Sequence, residues 1–347
     1  MSEHQDAEQL RVATAPGRVN LIGDHTDYTS GWCLPMAIDR VVVVSGVAVA
    51  GSGVVELFSE AFGETARIPL GVDDVRGFRP GWARYAAAVV RLVRPSTGFR
   101  GVIRSTLPIA SGLSSSAALE VAVALALGGD RLGPVALAQL CQAAEHEARG
   151  VRTGLLDQLA AIFGRAGHAV LVDCSTNTTA AVPLPDAAVA ELVVVDAGPR
   201  SLSDSGYTRR VEECVAIEAR IGPLRTASAA DVALLDDPVL RRRARHVITE
   251  NARVHDFVEA MRGDDVGRAG LLMSESHRSL RDDYESSTPA VDALCARLGA
   301  IRGVLGVRIT GGGWGGCVVA LTRPGALAGE GLHVVAADGA SVGTQRG

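Results

Sequence analysis

Residues 108–118, PIASGLSSSAA, are a loop of small residues that leads into an apolar segment. The start of a helix offers unpaired backbone N–H groups and the positive end of the helix dipole, and serine hydroxyls can add a hydrogen bond or a metal ligand. The chain contains no lysine, which excludes the GxxxxGK[ST] phosphate loop, the protein-kinase strand lysine and Schiff-base chemistry. The pattern therefore predicts an anion site built from backbone amides. A tight turn that caps a core helix is the alternative.

Residues 15–27, APGRVNLIGDHTD, concentrate polar side chains around two glycines: Arg18, Asn20, Asp24, His25 and Asp27. Apolar residues lie between them, so the segment is expected to be partly buried, where charges need partners or a ligand. Carboxylates accept hydrogen bonds from paired hydroxyls, and histidine can donate or accept. The segment therefore predicts a site for a polyhydroxylated ligand such as a sugar, with a solvated loop as the alternative.

Glu145 follows Leu137 and Cys141 at four-residue steps, which places its carboxylate beside the apolar face of a helix. Magnesium bound to a nucleotide takes one or two protein oxygens and keeps several waters. Glu145 and a serine of the small-residue loop would be sufficient ligands, whereas an ordinary interhelical hydrogen bond is the alternative.

Asp157 lies among apolar residues in GLLDQLAAIF. A carboxylate in such surroundings, with a guanidinium nearby, is a plausible base for a hydroxyl proton, and Arg18 is the natural counter-charge. A helix N-cap is the alternative, because aspartate is favoured there.

Residues 308–317, RITGGGWGGC, place five glycines around one tryptophan. Glycine at this density permits close approach of the backbone at a cost in conformational entropy, so a purely structural role is disfavoured. We interpret this segment as a second wall of the anion site.

The composition excludes several classes of protein. The 347 residues are 47% hydrophobic, which is typical of a compact globular protein, and the net charge is -5. The basic residues are scattered apart from residues 241–245, so nucleic acid is not an expected partner. No apolar stretch reaches the roughly eighteen residues that span a bilayer. The six cysteines show neither CxxC nor zinc spacing, so we expect reduced thiols and a cytoplasmic protein.

Alternating strand-like and helical segments predict a mixed α+β chain. Strand-like runs lie at 41–50, 102–106, 169–173, 192–196, 304–310 and 317–321. Helical periodicity lies at 116–127, 135–149, 207–221, 239–261 and 290–298. The polar segment 176–187 is the candidate boundary between lobes at 1–180 and 181–347, with the site in the cleft between them.

Taken together, these segments resemble the GHMP kinases, and within them the galactokinase branch. GRVNLIGDHTDY is similar to the sugar motif of that branch, SGLSSSAALEVA to the family's phosphate loop, AEHEARGVRTGLLDQ to its metal and base segment, and RITGGGWGGC to its third motif. SLSDSGYTRRVEEC is a fifth match, and the matches run in order from about residue 15 to 319. The resemblance implies a two-lobed fold and an ATP- and magnesium-dependent sugar 1-kinase, with galactose as the leading substrate.

The resemblance also implies roles for individual residues. Asp157 would take the proton from the anomeric hydroxyl, and Arg18 would stabilise its carboxylate and the developing phosphate charge. The sugar would be bound by Asp24, His25, Asp27, Gly154 and Tyr207. Magnesium would be held by Ser116 and Glu145, while the nucleotide would contact Ser111, Gly112, Leu113, Ser114, Ser115 and the adenine-facing Trp82.

Asp24 departs from the family pattern, in which a glutamate grips the exocyclic hydroxymethyl group. One methylene fewer shortens the reach of the carboxylate by about an ångström, enough to break a hydrogen bond. A kinase of a hexose analogue, such as a C7-cyclitol of the valienol type or a substituted sugar, is therefore one alternative. A non-catalytic sugar sensor is another, disfavoured because the phosphate loop, Glu145, Asp157 and Arg18 are all present. A monomer or weak homo-oligomer is expected.

Overall fold

The computed structural model describes residues 9–109, 112–150, 153–198 and 206–346. Within these ranges the chain forms twelve β-strands and nine α-helices. The strands are β1 (Gln9–Ile22), β2 (Trp32–Val49), β3 (Val54–Ser59), β4 (Glu64–Pro69), β5 (Gly98–Ser105), β6 (His168–Asp173), β7 (Thr178–Pro183), β8 (Glu191–Asp196), β9 (Val304–Ile309), β10 (Cys317–Thr322), β11 (Leu332–Val334) and β12 (Ser341–Arg346). The helices are α1 (Ala83–Val93), α2 (Ser115–Ala126), α3 (Pro134–Arg149), α4 (Leu156–Phe163), α5 (Tyr207–Ile221), α6 (Ala229–Ala233), α7 (Pro238–Arg262), α8 (Val266–Asp282) and α9 (Pro289–Gly299).

The larger sheet has eight strands and is built around the long strands β1 and β2. Six strands follow the order β12-β1-β2-β5-β3-β4, while β6 pairs with β2 and with β7. The pairs are antiparallel except β3 with β5. The last strand, β12, returns to pair with β1, so both ends of the described chain belong to this sheet.

The smaller sheet has four antiparallel strands in the order β11-β8-β10-β9. The side chains of successive residues in a strand point to opposite faces, and β10 is buried on both. Val319 and Leu321 join the core shared with the larger sheet, whereas Val318 and Ala320 join a second core beneath α5, α7 and α9. The two faces of β10 therefore pack into two different cores, one of which is shared with the larger sheet.

The α+β class predicted from the sequence is confirmed, and every strand and helix predicted there lies within or overlaps an observed element. The two-lobe division stays a prediction. A boundary at residue 180 would fall inside β7, and β12 joins the sheet formed mainly by residues before that boundary.

Helices α2, α3 and α4 pack together, and α2 and α4 also contact β1. They carry Ser115, Ser116, Glu145 and Asp157 of the predicted site. Helix α2 is rich in alanine and valine and is buried on most of its surface, as expected for a helix that is apolar all round. Helix α3 begins with Pro134 and ends at Gly150, an arrangement that suits the first turn and the C-terminal cap.

In the described part of the chain, no helix has the length and apolarity needed to cross a membrane. The six cysteines are free thiols, and all but Cys174 are buried.

Candidate active site

The loop before α2 leaves the first backbone N–H groups of that helix available to a ligand. Ser114 is the N-cap residue, but its side chain makes no capping bond. It adopts a left-handed conformation with φ of 58° and instead donates from Oγ to Asp157 Oδ2 at 2.5 Å. The intrahelical hydrogen bonds begin with the N–H of Ala118, which donates to Ser114 O. The amides of the first turn, with the dipole of α2 behind them, are the groups that the predicted anion site would use.

Asp157 lies in the first turn of α4 and forms an ion pair with Arg18. Nε and Nη2 of Arg18 lie 2.7 and 2.6 Å from Oδ1 of Asp157. Asp157 is not the N-cap of α4, because Leu155 occupies that position. The carboxylate is about a quarter exposed, so it is accessible to a ligand while its orientation is fixed by two donors.

Arg18 is positioned by an irregularity in β1. The register between β1 and β2 shifts between Pro16 and Arg18, and such a bulge redirects the following side chain. The backbone N–H of Arg18 donates to Leu113 O at 3.1 Å, and its Nη1 donates to Gly112 O at 2.8 Å. Arg18 thus ties the sheet, the small-residue loop and Asp157 together. The glycine-rich segment is also close, since a Cβ on Gly311 would lie 3.7 Å from Gly112 O.

Glu145 is buried at the junction of α2, α3 and α4, and residues of all three helices donate hydrogen bonds to its carboxylate. Ser116 Oγ and Arg149 Nη1 donate to Oε1, each at 3.1 Å. Thr153 Oγ1 and Gln158 Nε2 donate to Oε2 at 3.3 and 3.0 Å. The predicted magnesium ligands Ser116 and Glu145 are therefore adjacent. An oxygen pair of this kind suits an ion that keeps most of its waters.

A second acid, Glu120 of α2, lies beyond Glu145 and was not recognised from the sequence. It is fully buried, and Gln158 Nε2 donates to its Oε2 at 3.3 Å as well as to Glu145. Burial, with the negative charge of Glu145, raises the pKa of Glu120 well above its usual range. The signal in the sequence was one acid inside the otherwise apolar segment SSSAALEVAVALA.

Asp24 follows β1 at a turn that requires glycine at position 23. Gly23 has φ of 85°, and a Cβ there would lie 2.5 Å from Trp32 O. Asp24 forms a buried ion pair with Arg308 of β9, whose Nη1 also donates to Asn20 O at 3.3 Å. Burial raises the pKa of Asp24, and the Arg308 guanidinium opposes that rise. The pairing of Arg308 with Asp24 was not predicted, since the two residues lie 284 positions apart in the sequence.

Glu250 of α7 supports the same turn from behind. It is fully buried, accepts from Gly23 N at 2.9 Å and from Ser276 Oγ at 2.6 Å, and lies 3.8 Å from Arg308 Nη2. Arg253 Nε donates to its other oxygen at 2.8 Å. Glu250 could not be recognised from the sequence, because α7 carries many charges of both signs.

Asp27 and Gly154 are in direct contact. A Cβ on Gly154 would lie 1.7 Å from Asp27 Oδ2, so the carboxylate occupies the space that any other residue at 154 would need. Burial raises the pKa of Asp27 to about 7, and the charge of Asp157 adds to this rise. The structure therefore brings three of the predicted residues, Asp27, Gly154 and Asp157, to one place.

His25 and Tyr207 meet within a cluster of aromatic rings. The centroid of the His25 ring lies 5.7 Å from that of Tyr207, 4.7 Å from Tyr284 and 5.9 Å from Trp314. Nδ1 of His25 is 2.9 Å from Tyr28 Oη, which is 2.6 Å from Tyr284 Oη. The rings come from the polar segment that contains His25, from the start of α5 and from the glycine-rich segment 308–317. Tyr28 and Tyr284 were not predicted as members.

A cavity of about 420 Å³ connects the small-residue loop with the catalytic pair. Its lining includes Gly112, Ser114, Ser115 and Ser116 from the loop and the start of α2, together with Arg18, Asp157 and Glu145. Trp82, at the N-terminus of α1, also lines the cavity, and its contact with adenine stays a prediction. Much of the remaining lining is apolar or aromatic: Val42, Phe62, Tyr85, Ile103, Leu107, Ile109 and Leu119. Ser111 lies outside the described residues.

Among the described residues, no group of three or more His, Cys, Asp or Glu side chains could hold a metal ion. The candidate magnesium site is therefore one carboxylate with neighbouring hydroxyls. A magnesium ion bound to Glu145 would take the place of the hydrogen bonds that Ser116 and Thr153 donate to this carboxylate. A carboxylate with neighbouring hydroxyl oxygens is a suitable set of ligands for a nucleotide-bound cation that keeps its waters.

Three family models match the chain along its length. The galactokinase galactose-binding signature matches residues 2–47, the GHMP kinases N terminal domain residues 84–165, and the GHMP kinases C terminal domain residues 257–340. These ranges contain Arg18, Asp24, Glu145, Asp157 and the glycine-rich segment.

Curated relatives and solved structures agree with these matches. Galactokinase of Homo sapiens is 40% identical over 342 residues, which cover 93% of this chain and 86% of that protein. Galactokinase of Mycobacterium tuberculosis is 42% identical over 321 residues, covering 88% and 87%. The crystal structure of Lactococcus lactis galactokinase complexed with galactose superposes with a TM-score of 0.88 at 30% identity, covering 97% and 96%. Methanococcus jannaschii mevalonate kinase shares the fold, with a TM-score of 0.67 at 18% identity. The chain belongs to the galactokinase family of the GHMP kinases.

Proposed function

We propose that this kinase transfers the γ-phosphoryl group of ATP to the anomeric hydroxyl of galactose. The observation that carries the proposal is the Arg18–Asp157 ion pair, which lines the cavity together with the first turn of α2 and is close to the Asp27–Gly154 contact. The identity of about 40% to galactokinases over most of the chain supports galactose as the substrate.

Asp157 is proposed to accept the proton of the anomeric hydroxyl. The hydroxyl oxygen then forms its bond to the γ-phosphorus while the bond from that phosphorus to the β,γ-bridging oxygen breaks. The products are the sugar 1-phosphate and ADP, and the proton passes from Asp157 to solvent. Arg18 keeps Asp157 oriented, and its guanidinium is close enough to the cavity to stabilise charge on the transferred group.

The sugar is proposed to lie against Asp24, His25, Asp27, Gly154 and Tyr207. The carboxylates accept hydrogen bonds from sugar hydroxyls, and Arg308 holds Asp24 in one orientation for this purpose. Tyr207 and Trp314, the partly exposed rings beside His25, would offer an apolar surface to one face of a sugar ring.

The nucleotide is proposed to occupy the cavity of about 420 Å³, with its phosphates at the first turn of α2 and its base near Trp82. Ser116 and Glu145 would hold a magnesium ion, which would neutralise phosphate charge. Gly112, Leu113, Ser114 and Ser115 would contribute backbone and hydroxyl contacts. Family membership supports the use of ATP.

A substrate panel tests the proposal. ADP release should be measured with galactose, with a valienol-type cyclitol, with a 6-substituted hexose and with methyl galactoside, whose anomeric oxygen is blocked. We expect turnover with galactose, none with methyl galactoside, and a phosphate ester on the anomeric carbon by phosphorus NMR. If the kcat/KM for the cyclitol or the substituted hexose is higher than that for galactose, that compound rather than galactose is the preferred substrate. Sugar binding without any ADP release would indicate a sensor.

We propose further that the enzyme is cytoplasmic and works as a monomer or a weak homo-oligomer, without nucleic acid or membrane partners. Sedimentation of the purified protein over a range of concentrations measures its association.

A further inference from the structure

Arg149 lines the cavity proposed for the nucleotide, but neither the sequence analysis nor the catalytic arrangement gives it a role. It is the last residue of α3, and its side chain is 29% exposed. Among the described residues, the cationic side chains that line the cavity are Arg149 and Arg18. Arg149 therefore faces the space proposed for ATP.

The two arginines differ in how their donors are used. Arg18 donates from Nε and Nη1 and has Nη2 2.6 Å from Asp157, so its guanidinium is committed on every nitrogen. Arg149 shows one hydrogen bond in the described part of the chain, from Nη1 to Glu145 Oε1 at 3.1 Å. Its Nε and Nη2 remain available to a ligand in the cavity. A guanidinium is a planar donor that matches phosphate oxygens.

The charges in the cavity require a second cation when the nucleotide is present. Without ligands, Arg18 and Arg149 are balanced by Asp157 and Glu145. The triphosphate adds about four negative charges, and magnesium removes two of them. A chain without lysine has arginine as its remaining permanently charged donor for this purpose. A metal ion on Glu145 would compete with Nη1 of Arg149 for Oε1, which would leave the guanidinium to the phosphates.

We infer that Arg149 is a second phosphate-binding residue, paired with Glu145 in the free enzyme and bonded to the polyphosphate chain of ATP in the complex. This inference rests on the proposed function. It assigns to Arg149 the part that a lysine performs in many nucleotide sites.

Equilibrium binding tests the inference without relying on turnover. The affinities of Arg149→Gln, Arg149→Lys and wild type for ATP and for adenosine should be measured by calorimetry with excess magnesium and no sugar. A charged hydrogen bond of this kind changes affinity by about ten- to hundredfold. We expect Arg149→Gln to lose that much affinity for ATP, with adenosine binding within twofold of wild type. Arg149→Lys should recover part of the loss.

Arg91→Gln is the matched control. Arg91 lies on the neighbouring helix α1 in an ion pair with Glu147 at 2.7 Å and does not line the cavity, so its loss should leave both affinities unchanged. Equal ATP affinity in Arg149→Gln and wild type would overturn the inference while leaving the proposed function intact. An equal loss of ATP and adenosine binding would also overturn it, in favour of a role in shaping the cavity. Wild-type protein that binds galactose but neither nucleotide nor adenosine would refute the proposed kinase function itself.

Discussion

Arg18 and Asp157 form a two-pronged ion pair in which Nε and Nη2 contact the same oxygen, Oδ1, at 2.7 and 2.6 Å. The second oxygen, Oδ2, accepts a hydrogen bond from Ser114 Oγ at 2.5 Å. If Asp157 is the base, we expect a sugar hydroxyl to replace Ser114 as the donor to this oxygen. The contact between Ser114 and Asp157 was not anticipated when Ser114 was assigned to the nucleotide.

Asp157→Asn should retain the fold and the binding of both substrates but lose most of the turnover. Removing a general base typically lowers the rate by about a hundredfold to ten-thousandfold. Steady-state kcat and the affinities for galactose and ATP should be measured for the variant and for Asp130→Asn. Asp130 pairs with Arg11 at 2.8 Å on the surface, so its variant should match wild type. A kcat for Asp157→Asn within a few-fold of wild type would remove Asp157 from the role of base.

Glu145→Gln should raise the magnesium concentration needed for half-maximal turnover, because an amide is a weaker ligand for a hard cation than a carboxylate. Galactose affinity without nucleotide should change little. Glu147→Gln, on the same helix but in an ion pair with Arg91, is the matched control and should keep the wild-type magnesium dependence. If Glu145→Gln abolished galactose binding while the magnesium concentration for half-maximal turnover stayed the same, Glu145 would belong to the sugar site or to the core.

The sequence identified the short-range features of the site well. The loop before α2 and the periodicity of α2 and α3 depend on neighbouring residues, so their pattern was visible in the printed sequence. Asp157 was also recognised from its neighbours in the sequence, because it is an acid within an apolar segment. The residues 15–22 were recognised as chemically important, but the fact that they belong to strand β1 was missed, because the proline and glycine in APGRVNLI disguise the alternation.

The long-range contacts could not be predicted. Asp24 and Arg308 are 284 positions apart, and Gly23 and Glu250 are 227 positions apart, so no local pattern links them. Their pairing depends on how the smaller sheet and α7 pack against the end of β1. Gln158, which bridges Glu120 and Glu145, was missed for the same reason: its partners lie on two other helices.

Gly154→Ala should weaken galactose binding strongly. The added Cβ would lie 1.7 Å from Oδ2 and 2.3 Å from Cγ of Asp27, so the whole carboxylate must move. Loss of charged hydrogen bonds to the sugar lowers affinity by about ten- to hundredfold, while ATP affinity should stay near wild type. Gly133→Ala is the control, because a Cβ there meets nothing within 4 Å. Unchanged galactose affinity in Gly154→Ala would show that Asp27 does not contact the sugar in its present position.

Galactose binding to the free enzyme should strengthen as pH rises through about 7. Burial, with the charge of Asp157 added to it, raises the pKa of Asp27 to about 7. The ionised carboxylate can accept hydrogen bonds on both oxygens, so the sugar binds the deprotonated form and displaces a proton. Calorimetry in buffers of different ionisation enthalpy measures that release. Asp27→Asn should show none, and proton release that persists in the variant would assign the titration to another group.

The contribution of Asp27 to the free energy of unfolding of the free enzyme should decrease as pH rises, whereas galactose binding should strengthen. The folded-state pKa is raised above the ordinary value of 3.8, so the folded protein binds this proton more tightly than the unfolded chain does. The resulting stabilisation is complete below about pH 4 and is lost as pH rises to about 7. Thermal unfolding across this range, compared with Asp27→Asn, isolates the contribution.

Glu250→Gln should destabilise the protein and disturb the turn that carries Asp24. Glu250 is fully buried and accepts from Gly23 N at 2.9 Å, from Ser276 Oγ at 2.6 Å and from Arg253 Nε at 2.8 Å. Removing one partner of a buried ion pair costs about 3–5 kcal/mol, because the remaining charges lose their compensation. We expect a loss of that order in the free energy of unfolding, together with weaker galactose binding.

The pH dependence of this loss distinguishes charge from packing. Burial raises the pKa of Glu250, but Arg253, His246 and Arg308 outweigh that effect and hold the pKa at about 2, below the ordinary value of 4.5. The stabilisation from its charge is therefore present above about pH 4.5 and disappears as pH falls towards 2. The difference in unfolding free energy between wild type and Glu250→Gln should be full at pH 7 and shrink at pH 3.

Glu259→Gln is the control. Glu259 is an exposed acid on the same helix, and its ion pair with Arg262 is solvent-exposed, so the variant should show no difference from wild type at either pH. A loss of stability in Glu250→Gln that stayed constant between pH 7 and pH 3 would mean that packing and neutral hydrogen bonds, rather than the negative charge, hold the Asp24 turn in place.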